Sequence, residues 1–391
     1  MNALALRMLV GDKAKFFGIV FGIAFAAFLI TQQAAIFVGL MTRTFGFIAD
    51  TSYPQVWVMD KKVQFVDDLK PLQDTQLYRV RGVEGVDWAM PLYKGLLRAR
   101  LEDGTFQTCN VVGLDDSTLI GGPGEMIEGR IEDLRRADSV IVDEVGAAGK
   151  LARPAPIDPV TGKPTGKPTP LKVGDYLELN DHRATVVGLC RVSRTFQSQP
   201  VVYTTYSRAV TFAPRERKLL TFVIAGARPG VTPKDLCARI ERSTGLGAYT
   251  ADEFKWKTVV YFMTYTGIPI NFGISVLLGF LVGTAIAGQT FYNFTLDNLK
   301  QFGALKAMGA GNLRLLRMIL LQAILVGLIG YGVGVGMASL FAFMPKSELA
   351  FRLLPQGLVV TACAIVLICV LAALLSIQRV MRLEPAIVFK G

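Results

Sequence analysis

Hydrophobic and polar positions divide the chain into two kinds of territory. Four runs, 16–40, 267–291, 315–343 and 358–377, carry almost no charge, Arg317 near the start of the third being the exception. A helix needs about 20 residues to cross about 30 Å of hydrocarbon, and each run is long enough. The first could be a cleaved leader. Its apolar stretch exceeds the roughly 7–15 residues of a signal core, however, and Gln32-Gln33 stands where small residues would be cleaved. It reads as a retained anchor.

The territory between the first two runs, 41–266, has a different rhythm. Glu102-Asp103-Gly104-Thr105 separates the apolar runs 92–101 and 106–114, a hairpin signal. A second hairpin is expected where Asn180-Asp181-His182-Arg183 separates 176–179 from 184–192, which puts His182 in a surface turn. Residues 138–143 read as a strand leading into a helix at 144–151. Residues 232–244 read as a helix with Thr232 as N-cap and Pro233 in its first turn. This mixture predicts a large α+β domain of short sheets with helices on one side. Residues 153–170 hold six prolines and two copies of Thr-Gly-Lys-Pro, a composition that predicts a solvated, mobile insertion or an arm that docks a partner.

Composition and charge sharpen the division. Hydrophobic residues make up 51% and charged residues 19%, with a mean hydropathy of +0.41. Soluble domains carry roughly a quarter charged residues, so part of this chain is solvated by lipid. The net charge of +11 could suggest nucleic acid, but its location argues otherwise. Segments 1–15, 292–317 and 378–391 hold ten basic and three acidic residues, a net +7, against +3 for 41–266 and +1 for 344–357. An excess packed into short flanks of apolar helices is the positive-inside pattern. It places both termini and the 292–314 loop in the cytoplasm, 41–266 and the short loop 344–357 outside, and removes the case for nucleic acid.

Candidate chemistry is sparse. One His, His182, cannot build a multi-His metal site or a His-based triad alongside others of its kind. Cys109, Cys190 and Cys237 lie in 41–266 and permit at most one disulfide; Cys363 and Cys369 lie in the fourth run. Gly146-Ala147-Ala148-Gly149-Lys150-Leu151 lacks the spacing and the Ser/Thr of a P-loop, and no G-x-S-x-G or H-E-x-x-H occurs. The residues therefore give no reason to expect an enzyme, a bound cofactor or a metal. Polar residues within the apolar runs, Thr31, Gln32, Gln33, Gln289 and Gln322, suit hydrogen bonds between helices. The pairs Gly18/Gly22, Gly279/Gly283, Gly330/Gly334 and Gly332/Gly336 suit close helix packing, within one subunit or between two.

The loop after the second run is less bland than a loop need be. Leu296, Leu299, Phe302, Leu305 and Met308 recur at three-residue steps, which at about 100° per residue precess around a helix and form no stripe. A short helix broken near Gly303, with one part docked into another protein, accounts for them; a helix lying on lipid is the alternative. The run Lys300-Gln301-Phe302-Gly303-Ala304-Leu305-Lys306-Ala307-Met308-Gly309-Ala310 resembles a signature of MacB/FtsX-type (type VII) ABC transporter permeases. Three further pieces agree: Arg379 through Lys390 with its Glu384-Pro385-Ala386, Val173-Gly174-Asp175 with Val186 to Leu189, and the four-span plan itself. Chain length and Val56-Trp57-Val58-Met59-Asp60 look most like the DevC-like branch.

The resemblance implies a permease subunit coupled to a separate cytoplasmic ABC ATPase, which would hold the ATP and magnesium. Such a subunit would form a homodimer in membrane lipid and engage a membrane-fusion adaptor. By the same resemblance, Asp297, Lys300, Phe302, Gly303, Lys306 and Met308 would form the ATPase-coupling surface. The mechanism would be mechanotransmission, driving export of an amphiphile or of a periplasmic substrate, lipoprotein release included. The alternative is an FtsX-like transmitter that switches an envelope hydrolase and moves no substrate.

Overall fold

The computed structural model describes residues 2–155, 165–214, 220–343 and 349–381. Residues 156–164 of the Pro-rich insertion and 382–390 of the closing motif lie outside the described residues. The chain divides into two compact units, 41–265 and the combination of 1–40 with 266–391.

The second of these is a helical membrane unit. Its spans are Lys13–Thr44, Ile268–Asp297, Asn312–Leu340 with a short 3₁₀ turn at Phe341–Phe343, and Pro355–Met381. All four are long and apolar enough to cross a bilayer. Each helix continues past its apolar run because a bilayer edge changes the solvent, whereas only a backbone break ends a helix. Pro269 sits in the first turn of the second span, where its missing N–H costs nothing. Ile19, Ile23, Phe291, Phe294, Ile319, Val326, Ile365 and Ile368 from the four spans share one core. Outside that core, Phe21, Leu277, Leu328 and Val360 stay exposed, as lipid-facing side chains must be when hydrocarbon replaces water. Thr31 donates to Thr361 across two spans at 3.4 Å, and Gln322 is fully buried.

Between the first and second spans lies the α+β domain. Its strands are β1 (Val56–Met59), β2 (Val86–Arg100), β3 (Phe106–Leu114), β4 (Glu125–Glu128), β5 (Ser139–Asp143), β6 (Tyr176–Leu179), β7 (His182–Arg191), β8 (Val201–Thr205), β9 (Phe222–Ala227) and β10 (Gly247–Thr250). They join in the order β10-β1-β9-β2-β3-β8-β5-β7-β4, with β6 pairing both β2 and β7. The expected short sheets meet in β2. Its fifteen residues pair with β9 in one half and with β3 and β6 in the other, so it belongs to both halves. Pairs β3–β8 and β5–β7 are parallel and the others antiparallel.

Local chemistry sets the turns. The second hairpin has a two-residue loop, Asn180-Asp181, with φ of 46° and 66°. Both values are positive, as a type I′ turn demands, and Asn and Asp tolerate them best among residues with a side chain. His182 is therefore not in the turn; it opens β7, paired with Leu179, and remains exposed. In the first hairpin Gly104 takes φ +82°, and Arg100 pairs with Phe106. Thr232 accepts the Asp235 N–H at the start of helix Pro233–Thr244, which ends at Gly245 with φ +74°. The Pro-rich insertion leaves and returns at one bridge, Arg153 and Thr169 exchanging backbone bonds of 2.8 and 2.9 Å.

Cys109, Cys190 and Cys237 are all buried and unpaired, so the single disulfide the sequence permits is not formed. Burial pushes the Cys109 and Cys237 thiols up to about 12. Asp143 is the N-cap of helix Glu144–Ala148. Its buried carboxylate accepts the Gly146 N–H at 2.7 Å and the Val201 N–H at 2.6 Å, tying β5 to the start of β8. Burial raises its pKa against the pull of those two donors. Asp143→Ala is expected to lower the domain's stability by about 2–4 kcal/mol, since it removes a cap and leaves the Val201 N–H buried. Urea unfolding of the detergent-solubilised protein, followed by tryptophan fluorescence, measures this.

Candidate functional site: the connecting helix and its seat

The segment between the second and third spans is built from two breaks and one helix. The second span stops at Asp297, where Asn298 turns the chain and its side-chain amide donates to Phe294 O at 2.8 Å. Helix Leu299–Ala307 follows. It ends where Met308, Gly309 and Ala310 donate backwards to Ala304, Lys306 and Leu305 carbonyls, with Gly309 at φ +90°. Gly311 precedes the third span.

This corrects the expected break near Gly303. That residue lies in mid-helix and is buried. A glycine costs a helix interior about 1 kcal/mol, too little to break one held by tertiary packing. The breaks fall instead at Asn298 and at Met308–Gly311, and they account for the three-residue repeat. Leu296 belongs to the preceding span and Met308 lies past the helix end. Only Leu299, Phe302 and Leu305 share the helix, and all three pack on the membrane-unit core.

Phe302 carries most of that packing. It is 0% exposed, in one cluster with Leu9, Phe294 and Leu315. Phe302 and Gly303 are thus buried inside the membrane unit, on the side of the helix that faces its core. Lys300 is exposed, Lys306 half-buried, and Met308 75% exposed; Leu313, at the start of the third span, is 61% exposed. Asp297 is exposed but engaged: Lys15, at the base of the first span, forms ion pairs with both Asp297 and Asp12, the latter at 2.9 Å. The Lys15 ammonium beside Asp12 holds its carboxyl below the usual carboxylate range.

The seat has a part that sequence reading missed. Residues 2–11 form a helix, Asn2–Gly11, and its Leu9 is wholly buried in the cluster that holds Phe302. The signal was the apolar pair Met8-Leu9, hidden in a segment read only for its charge.

The structure also separates the glycine pairs. A Cβ on Gly22 would lie 2.4 Å from Ile286, and one on Gly283 2.4 Å from Ala26, so these two join the first and second spans. A Cβ on Gly330 would meet Ile23 at 2.7 Å, and one on Gly334 the Ala24 carbonyl at 2.4 Å, joining the first and third. Gly18 and Gly279 have only ordinary contacts, with Thr290 at 3.8 Å and Leu29 at 3.4 Å. Gly332 and Gly336 have nothing within 4 Å and face outward.

Four apolar helices, an α+β domain after the first of them and a packed helix between the second and third define a multi-pass membrane subunit with a large extramembrane domain. A family model of the MacB-like periplasmic core domain matches residues 16–243, more than half of the chain, and one of the FtsX-like permease C-terminal matches residues 273–385. The chain belongs to the MacB/FtsX-type family of ABC transporter permeases. It is 26% identical over 326 residues to an uncharacterised ABC transporter permease of Mycobacterium tuberculosis, represented in strains CDC 1551 and H37Rv, with 82% of this chain and 80% of the relative aligned. Among solved structures it is similar to the periplasmic region of MacB from Actinobacillus actinomycetemcomitans, at 14% identity and a TM-score of 0.36 over 54% of this chain and 94% of that one. It is also similar to the extracellular domain of the ABC-type transporter YknZ from Gram-positive bacteria, at 11% identity and a TM-score of 0.32 over 50% of this chain and 98% of that one.

Two substitutions separate the roles of the glycines. Gly334→Leu is expected to abolish monodisperse protein in detergent, because a leucine cannot share space with the Ala24 carbonyl. Gly332→Leu is expected to fold but to lower the yield of dimer; unchanged dimer yield, measured by size exclusion with light scattering, removes Gly332 from any contact between copies.

Proposed function

We propose that this chain is the permease subunit of an ABC exporter driven by a separate cytoplasmic ATPase, which holds the ATP and magnesium. The observation that carries the proposal is the connecting helix, fixed in the core by Phe302 and ending in the exposed Met308. A helix anchored on one face and open at its tip suits a lever: force applied at the tip moves the spans and is not absorbed by a loop. Lys300, Lys306, Met308 and Leu313 form the surface on which the ATPase bears, while Asp297 holds the base of the first span through Lys15.

The charge excess beside the spans orients both termini and this helix toward the cytoplasm, with the α+β domain on the other side of the inner membrane. Motion then passes along the first and second spans to the domain, a mechanotransmission scheme. Its cargo is an amphiphile or a substrate collected outside the membrane with a membrane-fusion adaptor. The size of that domain, a ten-stranded sheet, favours export over a purely regulatory transmitter. Two copies of the chain, meeting across lipid, complete the permease.

Purification of the tagged protein from its native host in mild detergent, with mass spectrometry of every retained chain, tests the scheme. An ATPase with an adaptor supports an exporter; an ATPase with a cell-wall hydrolase supports the regulatory reading. Lys300→Glu with Lys306→Glu is expected to lower ATPase recovery by about ten-fold or more, the scale of like-charge juxtaposition at an interface. Wild-type recovery and wild-type ATP turnover in that double variant would remove both lysines from the coupling surface.

A further inference from the structure

Two segments carry the chain between the spans and the α+β domain: 41–50 after the first span, and 251–265 before the second. Within the domain they end on the same group of rings. Phe47, on the short helix Gly46–Asp50, meets Trp57 of β1 edge-on at 5.9 Å. Trp57 meets Phe254, on helix Ala251–Tyr265, at 5.8 Å and Phe222 of β9 at 5.7 Å; Phe222 and Phe254 are 5.9 Å apart. Trp57, Phe222 and Phe254 are fully buried. Trp57 is the aromatic residue of the Val56-Trp57-Val58-Met59-Asp60 motif.

Phe47 is held from a second direction. Lys94 of β2 places its Nζ 5.3 Å from the Phe47 ring centroid, and its side chain is 1% exposed. The ammonium pairs with Asp67, from the segment after β1. The ammonium is buried while Asp67 remains exposed, so the pair ties the group beside the Phe47 ring to the segment after β1. The far end of the same short helix is also fixed: Asp50 accepts the Ser193 N–H at 2.6 Å and its hydroxyl at 3.0 Å, just beyond β7. Closely packed rings, with a buried ammonium held against one of them, transmit displacement because they have little free volume in which to absorb it.

We infer that the Phe47–Trp57–Phe254 contact is the joint at which the entering and leaving segments are coupled to each other and to the sheet, with Lys94 locking Phe47 in place. Phe47 and Lys94 are positioning residues for transmission, and neither touches nucleotide or cargo. The inference rests on the transmitter reading above, and the test separates the two.

The complex with its ATPase, purified from the native host and placed in lipid nanodiscs, is prepared in a Trp88→Phe, Trp256→Phe background that leaves Trp57 as the sole indole of this chain, and the emission of a matched Trp57→Phe complex is subtracted. Its emission is read without nucleotide and after trapping with ATP and vanadate. The expected result is a nucleotide-dependent change in Trp57 emission. Phe47→Leu and Lys94→Met should each cut it by at least about two-fold, the lower range for residues that carry coupling. ATP turnover and the melting midpoint of the domain should stay near their parent values. Lys94→Met keeps the length and apolar stem of the side chain and serves if Phe47→Leu folds poorly. Undiminished emission change in both variants overturns the joint and leaves the transmitter standing. No emission change in the parent, with ATP turnover intact, overturns the transmitter reading and the joint with it.

Discussion

The membrane unit depends on how closely the first span lets its neighbours approach. In lipid no hydrophobic force draws apolar helices together, so association rests on van der Waals contact and a few polar bonds. The first span meets both the second and the third through glycines, at Gly22 and Gly283 on one side and at Gly330 and Gly334 on the other. At Gly334 the third span lies against the backbone of the first, with no room for even one methyl group. Gly39 makes a comparable approach, to the backbone of Ala350 before the fourth span. The fourth span in turn packs along both the second and the third, with Cys369 close against Gly327.

That constraint explains an apparent disproportion in the chain. The spans use almost no polar chemistry, and their specificity lies in where side chains are missing. The domain uses the opposite device: a buried carboxylate at Asp143, a buried ammonium at Lys94 and a hub at Arg208, whose guanidinium donates to the carbonyls of Leu134, Arg136 and Ser139. Polar interior groups fix one arrangement because leaving any of them unpaired is costly. Three buried clusters in the domain are thereby held in register along β2.

Much of this was legible in the sequence, and unevenly so. Long charge-free runs identify spans because lipid tolerates nothing else. Thr232 and Pro233 read as a helix start because caps are local chemistry. The single sheet was not legible: β2 joins its two halves through partners at distant positions, and pairing leaves no mark within a strand's own residues. The connecting helix was found by its apolar residues but misread in its course, because Gly303 is a weak breaker and the cluster that holds Phe302 includes Leu9, almost three hundred residues away. The glycine pairs read alike in the sequence, yet one pair is walled in and another open, since which face of a helix is covered is a property of its neighbours.

The burial of the unpaired cysteines has a consequence for their reactivity. At neutral pH a thiol with a pKa of about 12 is ionised in only about one molecule in 10⁵, and only the thiolate attacks a disulfide or an oxidant. Cys109 is also sealed from solvent, and Cys237 nearly so. In the folded domain these thiols are therefore poor nucleophiles toward disulfides and oxidants.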